Sequence, residues 1–217
     1  MAPLDRIWIA ALAAEDESTR LKAALAIGSN PEPELVDTLL ARCAIEPDFY
    51  VRDMLTWALI RLPPDVTVPR LLAELRSESP QARSQALHTL SKIKDASAFR
   101  AITRSLLRDS DDEVARSAWR AAVVLVPDEQ KNELAQELVA QLGRGSRELQ
   151  LSLSRALIAL GEEVIEPVLR KAMASDTPEV QAHASATERL LHDPNTASEL
   201  AIHEAKRRFV LGTERKP

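Results

Sequence analysis

Apolar residues recur along this chain at the three-and-four spacing of a single helix face, rather than alternating as in a half-buried strand. The clearest stretch is residues 48–62, where Val51, Leu55, Ala58, Leu59 and Leu62 share one face and Asp48 stands where an N-cap is needed. The stretch recurs. With Val51 as anchor, Thr19, Ala82, Val114, Leu149 and Val180 fall into register at intervals of 31 to 35 residues. Three residues before each anchor stand Asp16, Asp48, Ser79, Asp111, Ser146 and Thr177. All are types whose side chain accepts a hydrogen bond from an unpaired N–H at a helix start. Pro80 and Pro178 follow two of these caps, at the first helical position, where proline's missing N–H removes no intrahelical bond. Four residues after the anchors come Ala23, Leu55, Ala86, Ala118, Leu153 and Ala184.

Each capped helix follows another apolar-periodic segment: 4–13, 34–44, 66–76, 96–107, 130–142 and 162–174. Stripes such as Val68, Leu71, Leu72 and Leu75, or Phe99, Ile102 and Leu106, predict a helix in each. The unit is then two antiparallel helices in about 32 residues, repeated six times, with a further segment at about 196–211 to cover the end. One hairpin cannot bury its apolar face alone, and stacked neighbours make a continuous core. The 35-residue interval between Val114 and Leu149 places a longer loop around Gly143–Gly145. No linker or low-complexity tract divides the chain, so residues 1–217 read as a single domain.

The segment Val51-Arg52-x-x-Leu55-x-x-Ala58-Leu59, with Asp48 before it, resembles the second helix of a HEAT repeat. It is most similar to the short HEAT-like repeats named after phycobilisome lyases. Pro69 and Pro167, each 13 residues before an anchor, fit that family's first helix. The resemblance spans roughly residues 3–195 and implies an all-α fold, a right-handed α-α superhelix of about six hairpins plus a C-terminal helix. It also implies a polar ladder between repeats, built from the residue after each anchor. That residue is Arg20, Arg52 and Arg83, then Ala115, Gln150 and Gln181. The ladder is therefore expected to be ionic in the N-terminal half and neutral or broken afterwards. The resemblance leaves function open, because such repeats serve as scaffolds, adaptors, lyase subunits and a few enzymes.

Composition narrows this further. Aromatic residues make up only 3% of the chain, which suits closely stacked helices better than a sheet. Five glycines leave no glycine-rich phosphate cradle, and a net charge of −5 disfavours indiscriminate binding to nucleic acid or an anionic membrane. The single cysteine, Cys43, excludes an intrachain disulfide and reads as a small core residue. The N-terminal apolar run lacks a basic leader region, and no stretch approaches the roughly 20 apolar residues of a membrane span. A cytoplasmic location is expected.

Catalytic and metal patterns are missing from the sequence. His88, His183, His192 and His203 lack the i, i+4 spacing of a ligand pair, and one His-Glu pair, His203-Glu204, falls short of the several that HEAT-type hydroxylases use. The acidic pairs Glu162-Glu163 and Asp111-Asp112 lie at helix starts, where the dipole explains them. No catalytic residue, cofactor or metal is expected. One pattern remains. In HEAT-like solenoids the second helices line the concave surface, and the sixth position after each anchor reads Leu25, Trp57, His88, Arg120, Arg155 and Ala186. With the second and fifth positions, a groove is expected to present Asp53, Met54, Trp57, His88, Arg116, Trp119, Arg120 and Arg155. Tryptophan beside arginine suits a binding hot spot, while Trp57 or Trp119 filling space between hairpins is the plainer reading. The basic residues Lys206, Arg207, Arg208, Arg215 and Lys216 fit a soluble helix end.

The expected function is a non-catalytic scaffold or adaptor that binds another protein or peptide, with an acidic or apolar face, through the groove. A nucleic-acid-binding or DNA-glycosylase-like HEAT protein is one alternative, on the strength of Asp53, Trp57, Trp119 and the nearby arginines. A lyase or chaperone-type subunit is another. A monomer or weak homodimer is expected, pairing through Trp8 and Ile9.

Overall fold

A computed structural model describes residues 3–193, with side chains from Ile7 onward. The expected C-terminal helix and its basic residues lie outside the described residues. The fold is all-α and built of helical hairpins, with no strand among the described residues. The chain divides into two compact units between Gln130 and Lys131, and each is described by itself.

The first unit holds four hairpins. They are α1 (Pro3–Ala11) with α2 (Glu17–Ser29), α3 (Val36–Cys43) with α4 (Phe49–Ile60), α5 (Pro64–Glu74) with α6 (Pro80–Ile93), and α7 (Arg104–Leu107) with α8 (Asp112–Leu125). The second helices stack in order, α2 on α4, α4 on α6 and α6 on α8. Asp16, Asp48, Ser79 and Asp111 cap them as the spacing predicts, each accepting the anchor's backbone N–H. The residues four past the anchors, Ala23, Leu55, Ala86 and Ala118, are all buried. Alanine at three of these positions permits the close approach that stacked helices need.

The segment 96–107 departs from the expected single helix. Residues Ala96–Ala101 form a 3₁₀ turn, opened by Asp95 accepting from the Ser97 N–H. The chain then extends through Ile102 and Thr103 before the single turn of α7. The break re-aims the apolar set, so that Ala98, Ile102, Leu106 and Leu107 are buried and Phe99 is only half-buried.

The arginine after each anchor closes its own hairpin. Arg20 donates to the Ala14 and Glu15 carbonyls, Arg52 to those of Glu46 and Pro47, and Arg83 to those of Ser77 and Glu78. Two of the three also reach a carboxylate of the next hairpin. Arg20 pairs with Glu46 at 2.8 Å and Arg83 with Asp109 at 3.0 Å. The corresponding place opposite Arg52 is Ser77, and that seam is bridged by an amide instead: Gln81 Nε2 donates to the Cys43 and Glu46 carbonyls, each at 2.8 Å. The expected ionic ladder is thus interrupted within the N-terminal half.

Glu46 is 0% exposed. Its Oε1 accepts from Arg20 and from the Asp48 N–H, and its Oε2 from Arg20 and Arg42. Burial alone would raise its carboxyl, but the bonds from Arg20, Asp48 and Arg42 outweigh it and hold the group at about 2. Cys43, sealed in the core as expected, has its thiol pushed up to about 12 by burial.

The second unit pairs α9 (Lys131–Val139) with α10 (Arg147–Ile158) and α11 (Glu162–Met173) with α12 (Pro178–His192). Ser146 caps α10, but Thr177 makes no side-chain cap at α12, contrary to its expected role; its own N–H donates to Ser175 Oγ. Gly143 and Gly145 take positive φ in the longer loop, at 84° and 68°. That conformation turns the Gly143 N–H onto His183 Nδ1 of α12 at 3.0 Å. Because Nδ1 accepts, Nε2 carries the proton, facing the Gln150 carbonyl at 2.9 Å and Ser154 Oγ at 3.1 Å. Thr187 donates to the His183 carbonyl, so Ser154 donates to Thr187 Oγ1 at 2.7 Å. Every proton of this network is assigned, and Ser154 has no base to activate it.

Candidate functional site

The outward arc of the first unit's second helices opens into a cleft of about 510 Å³ across α4, α6 and α8. The capped starts place the anchors at a common level, so the first two turns of the three helices line up. From α4 come Phe49, Arg52, Asp53 and Thr56; from α6 Ser84, Gln85 and His88; from α8 Glu113, Arg116, Ser117 and Arg120. Phe49 is the one apolar side chain in this set.

Four of the eight expected groove residues are therefore brought together: Asp53, His88, Arg116 and Arg120. The others are placed elsewhere. Trp119 is a correction: it is 0% exposed and its Nε1 donates to the Leu107 carbonyl at 2.8 Å. The single turn of α7 leaves that carbonyl without a helical partner, and the indole satisfies it. Trp57 is half-buried against α2 and does not line the cleft. A Cβ on Gly28 would lie 2.3 Å from its ring, and the Arg61 guanidinium covers the ring at 5.0 Å from its centroid. Trp57 fills the space between the first two hairpins, the plainer of its two sequence readings. Met54 is half-buried on α4 outside the cleft, and Arg155 is exposed on α10 in the second unit.

The cleft's charge is mixed. Arg52, Arg116 and Arg120 face Asp53 and Glu113, and Arg116 pairs with Glu113 at 3.0 Å. His88 is held below the usual histidine range, first by burial and then by Lys92 and Arg120, against a smaller opposing pull from Asp53. It is neutral at pH 7. Thr56 Oγ1 is buried and makes no hydrogen bond among the described residues. The other buried threonines, Thr67, Thr89 and Thr187, each donate to the carbonyl four residues back.

Beside the cleft an aromatic pair stands in solvent. Phe49 is 65% exposed and Tyr50 71%, with ring centroids 5.6 Å apart at 78°, an edge-to-face contact. Ile45, three residues before the cap of α4, is 69% exposed. Sequence reasoning missed this rim because Phe49 and Tyr50 precede the anchor, outside the columns that follow it. An aromatic doublet immediately after a cap, at positions with no core partner, was the available signal.

Among the described residues no three His, Cys, Asp or Glu side chains cluster to hold a metal ion, and no helix is long and apolar enough to cross a membrane. The site offers guanidinium, carboxylate, hydroxyl and amide groups over a polar floor, with one aromatic edge. Such a surface can recognise a polar chain.

Residues 37–123 match the family model of HEAT repeats, a span running from α3 into α8. Among solved structures, the chain is similar to one described as the complex of CpcE and CpcF of phycocyanin lyase from Nostoc sp. PCC7120, at 22% sequence identity and a TM-score of 0.48. The match covers 86% of this chain and 76% of that one. No curated protein matches the chain.

Proposed function

We propose that this chain, whose residues 37–123 match HEAT repeats, is a non-catalytic scaffold or adaptor that binds a protein partner through the cleft of α4, α6 and α8. The observation that carries the reading is the combination of a polar, arginine-lined cleft with the exposed Phe49–Tyr50 pair at its edge. Arginine and aromatic side chains are where interface energy concentrates. Exposed large aromatics have no packing role that would otherwise account for them.

The alternative of a base-recognising, glycosylase-like protein draws no support from the tryptophans. Trp119 is enclosed and hydrogen-bonded, and Trp57 is packed between hairpins, so neither is offered to a flipped base. The test is affinity capture from the native host with the wild type and with a Phe49→Ala/Arg120→Glu variant. Both positions are exposed, so circular dichroism and melting temperature stay near wild type. A partner protein retained by the wild type and lost by the variant supports the reading. An unchanged eluate overturns it, and nuclease-sensitive material in its place favours a nucleic-acid reader.

A further inference from the structure

We propose that Arg52 is the seat for a carboxylate side chain of the partner, which completes from outside the rung that Glu46 and Asp109 complete in the seams on either side. This rests on the adaptor reading above and names the chemistry the partner brings.

Three arginines of this unit are built alike. Each donates from Nη1 to two carbonyls of the turn in its own hairpin: Arg20 to Ala14 and Glu15, Arg52 to Glu46 and Pro47, Arg83 to Ser77 and Glu78. Nε and Nη2 then remain as a two-pronged fork. Arg20 sets its fork on Glu46, at 2.9 and 2.8 Å, and Arg83 sets its own on Asp109, both bonds at 3.2 Å. Among the described residues, the hydrogen bonds of the Arg52 side chain are the two from Nη1, and no carboxylate pairs with it. The chain thus shows twice which group this fork takes, with Nη1 committed as it is in Arg52. Two parallel, charge-assisted bonds are the arrangement in which arginine holds a carboxylate most firmly.

Register explains the difference. Glu46 and Asp109 each stand five residues before an anchor, and each accepts the backbone N–H two residues on, from Asp48 and Asp111. Ser77 accepts the Ser79 N–H in the same way, at 3.3 Å, so it holds the equivalent place before Ala82. Glu78 lies 26 residues after Arg52, the separation of the other two pairs. The interval from Val51 to Ala82 is 31 residues rather than the 32 on either side, however, and Glu78 falls past the rung, exposed. A serine hydroxyl carries no charge and ends one bond short of an aspartate oxygen. Its proton is donated to no group among the described residues, which adds a third donor at the seat.

The position suits a docked polypeptide. Arg52 and Phe49 are neighbours one turn apart on α4, and both line the cleft, so a segment entering there meets the fork beside the aromatic rim. Arg52 is half-buried, and a free carboxylate would gain the fork alone, in competition with water. An acidic side chain carried on a segment in the cleft is held at the fork by its neighbours' contacts as well.

The experiment selects a phage-displayed library of random twelve-residue peptides on the full chain, then measures the enriched peptides by fluorescence anisotropy. Enriched peptides are expected to carry Asp or Glu, and replacing that acid by its amide weakens binding at least about tenfold. Ser77→Asp supplies the carboxylate from within, as Asp109 does for Arg83. It is expected to weaken the acidic peptides by a similar factor, to leave their amide forms unaffected, and to keep or raise the melting temperature. Ser77→Asn, equal in size but neutral, leaves the acidic peptides bound. A fall in the melting temperature of Ser77→Asp, or a loss of affinity shared by Ser77→Asn or by the amide peptides, overturns the proposal. So do peptides that Phe49→Ala weakens but that lack an acid or bind Ser77→Asp as tightly as wild type; these leave the adaptor reading standing. Peptides weakened by neither Ser77→Asp nor Phe49→Ala, or no enrichment at all, overturn both.

Discussion

Replacing Glu46 by glutamine keeps the side chain's volume but removes the charge on which Arg20 and Arg42 converge. Glu46 is enclosed, so water cannot take over its bonds. Two routes give the magnitude. A carboxyl held at about 2, against an ordinary 4.5, corresponds to about 3 kcal/mol of preference for the folded state. Breaking a buried ion pair and stranding its partner costs about 3–5 kcal/mol. The lower figure is the better expectation, because glutamine still accepts through one oxygen and Arg20 keeps the Ala14 and Glu15 carbonyls. Glu46→Gln is therefore expected to lose about 3 kcal/mol at pH 7, read by chemical denaturation. The folded pKa is depressed, so the stabilisation is fully present above 4.5 and is lost as pH falls through about 2. The gap between wild type and variant should then close over that window. A variant as stable as wild type at pH 7, or a gap that stays constant down to pH 2, would refute the reasoning.

Two further outcomes are expected. Trp119→Phe keeps most of the packing but leaves the Leu107 carbonyl unsatisfied, at a loss of about 1–3 kcal/mol in denaturant titrations; an unchanged midpoint would return Trp119 to the surface. His183 is held below its ordinary 6.5 by burial, partly offset by its bond to Gln150. Its contribution to the second unit is thus present above pH 6.5 and lost as pH falls through its lower folded value. Hydrogen exchange of α10 and α12 should rise on acidification through that range in the wild type, and His183→Gln should flatten the response.

The hairpins were legible because their signals are local. A cap, its N–H partner and the first buried residue lie within seven positions, and stacking adds burial without changing the register. Segment 96–107 was misread because Asp95 and Thr103 are themselves local cap formers, and their turns compete with one continuous helix. The candidate site was half legible. At about 100° per residue, the second and sixth positions lie about 160° and 120° from the anchor on one flank of the helix, and Asp53, His88, Arg116 and Arg120 line the cleft there. The fifth position falls about 140° from the anchor on the other flank of the helix, where large side chains turn back into the core. Leu87 and Trp119 do so. No single-helix argument could have placed Trp119, because its partner is a carbonyl orphaned by the short helix α7.

The alternation of cross-links along the first unit makes its stiffness uneven. A guanidinium fork on a carboxylate fixes both distance and orientation, so the seams joined by Arg20–Glu46 and Arg83–Asp109 resist sliding and twisting together. The seam between them is joined by the Gln81 amide donating to two carbonyls and by the exposed Arg70–Asp37 pair at 3.5 Å, a joint that fixes orientation less firmly than a buried fork. The α4 wall of the cleft belongs to one braced pair of hairpins, and the α6 and α8 walls to the other. Whatever enters between them meets two braced pairs of hairpins on a softer joint, whose ion pair, Arg70–Asp37, is exposed to solvent and weakly held.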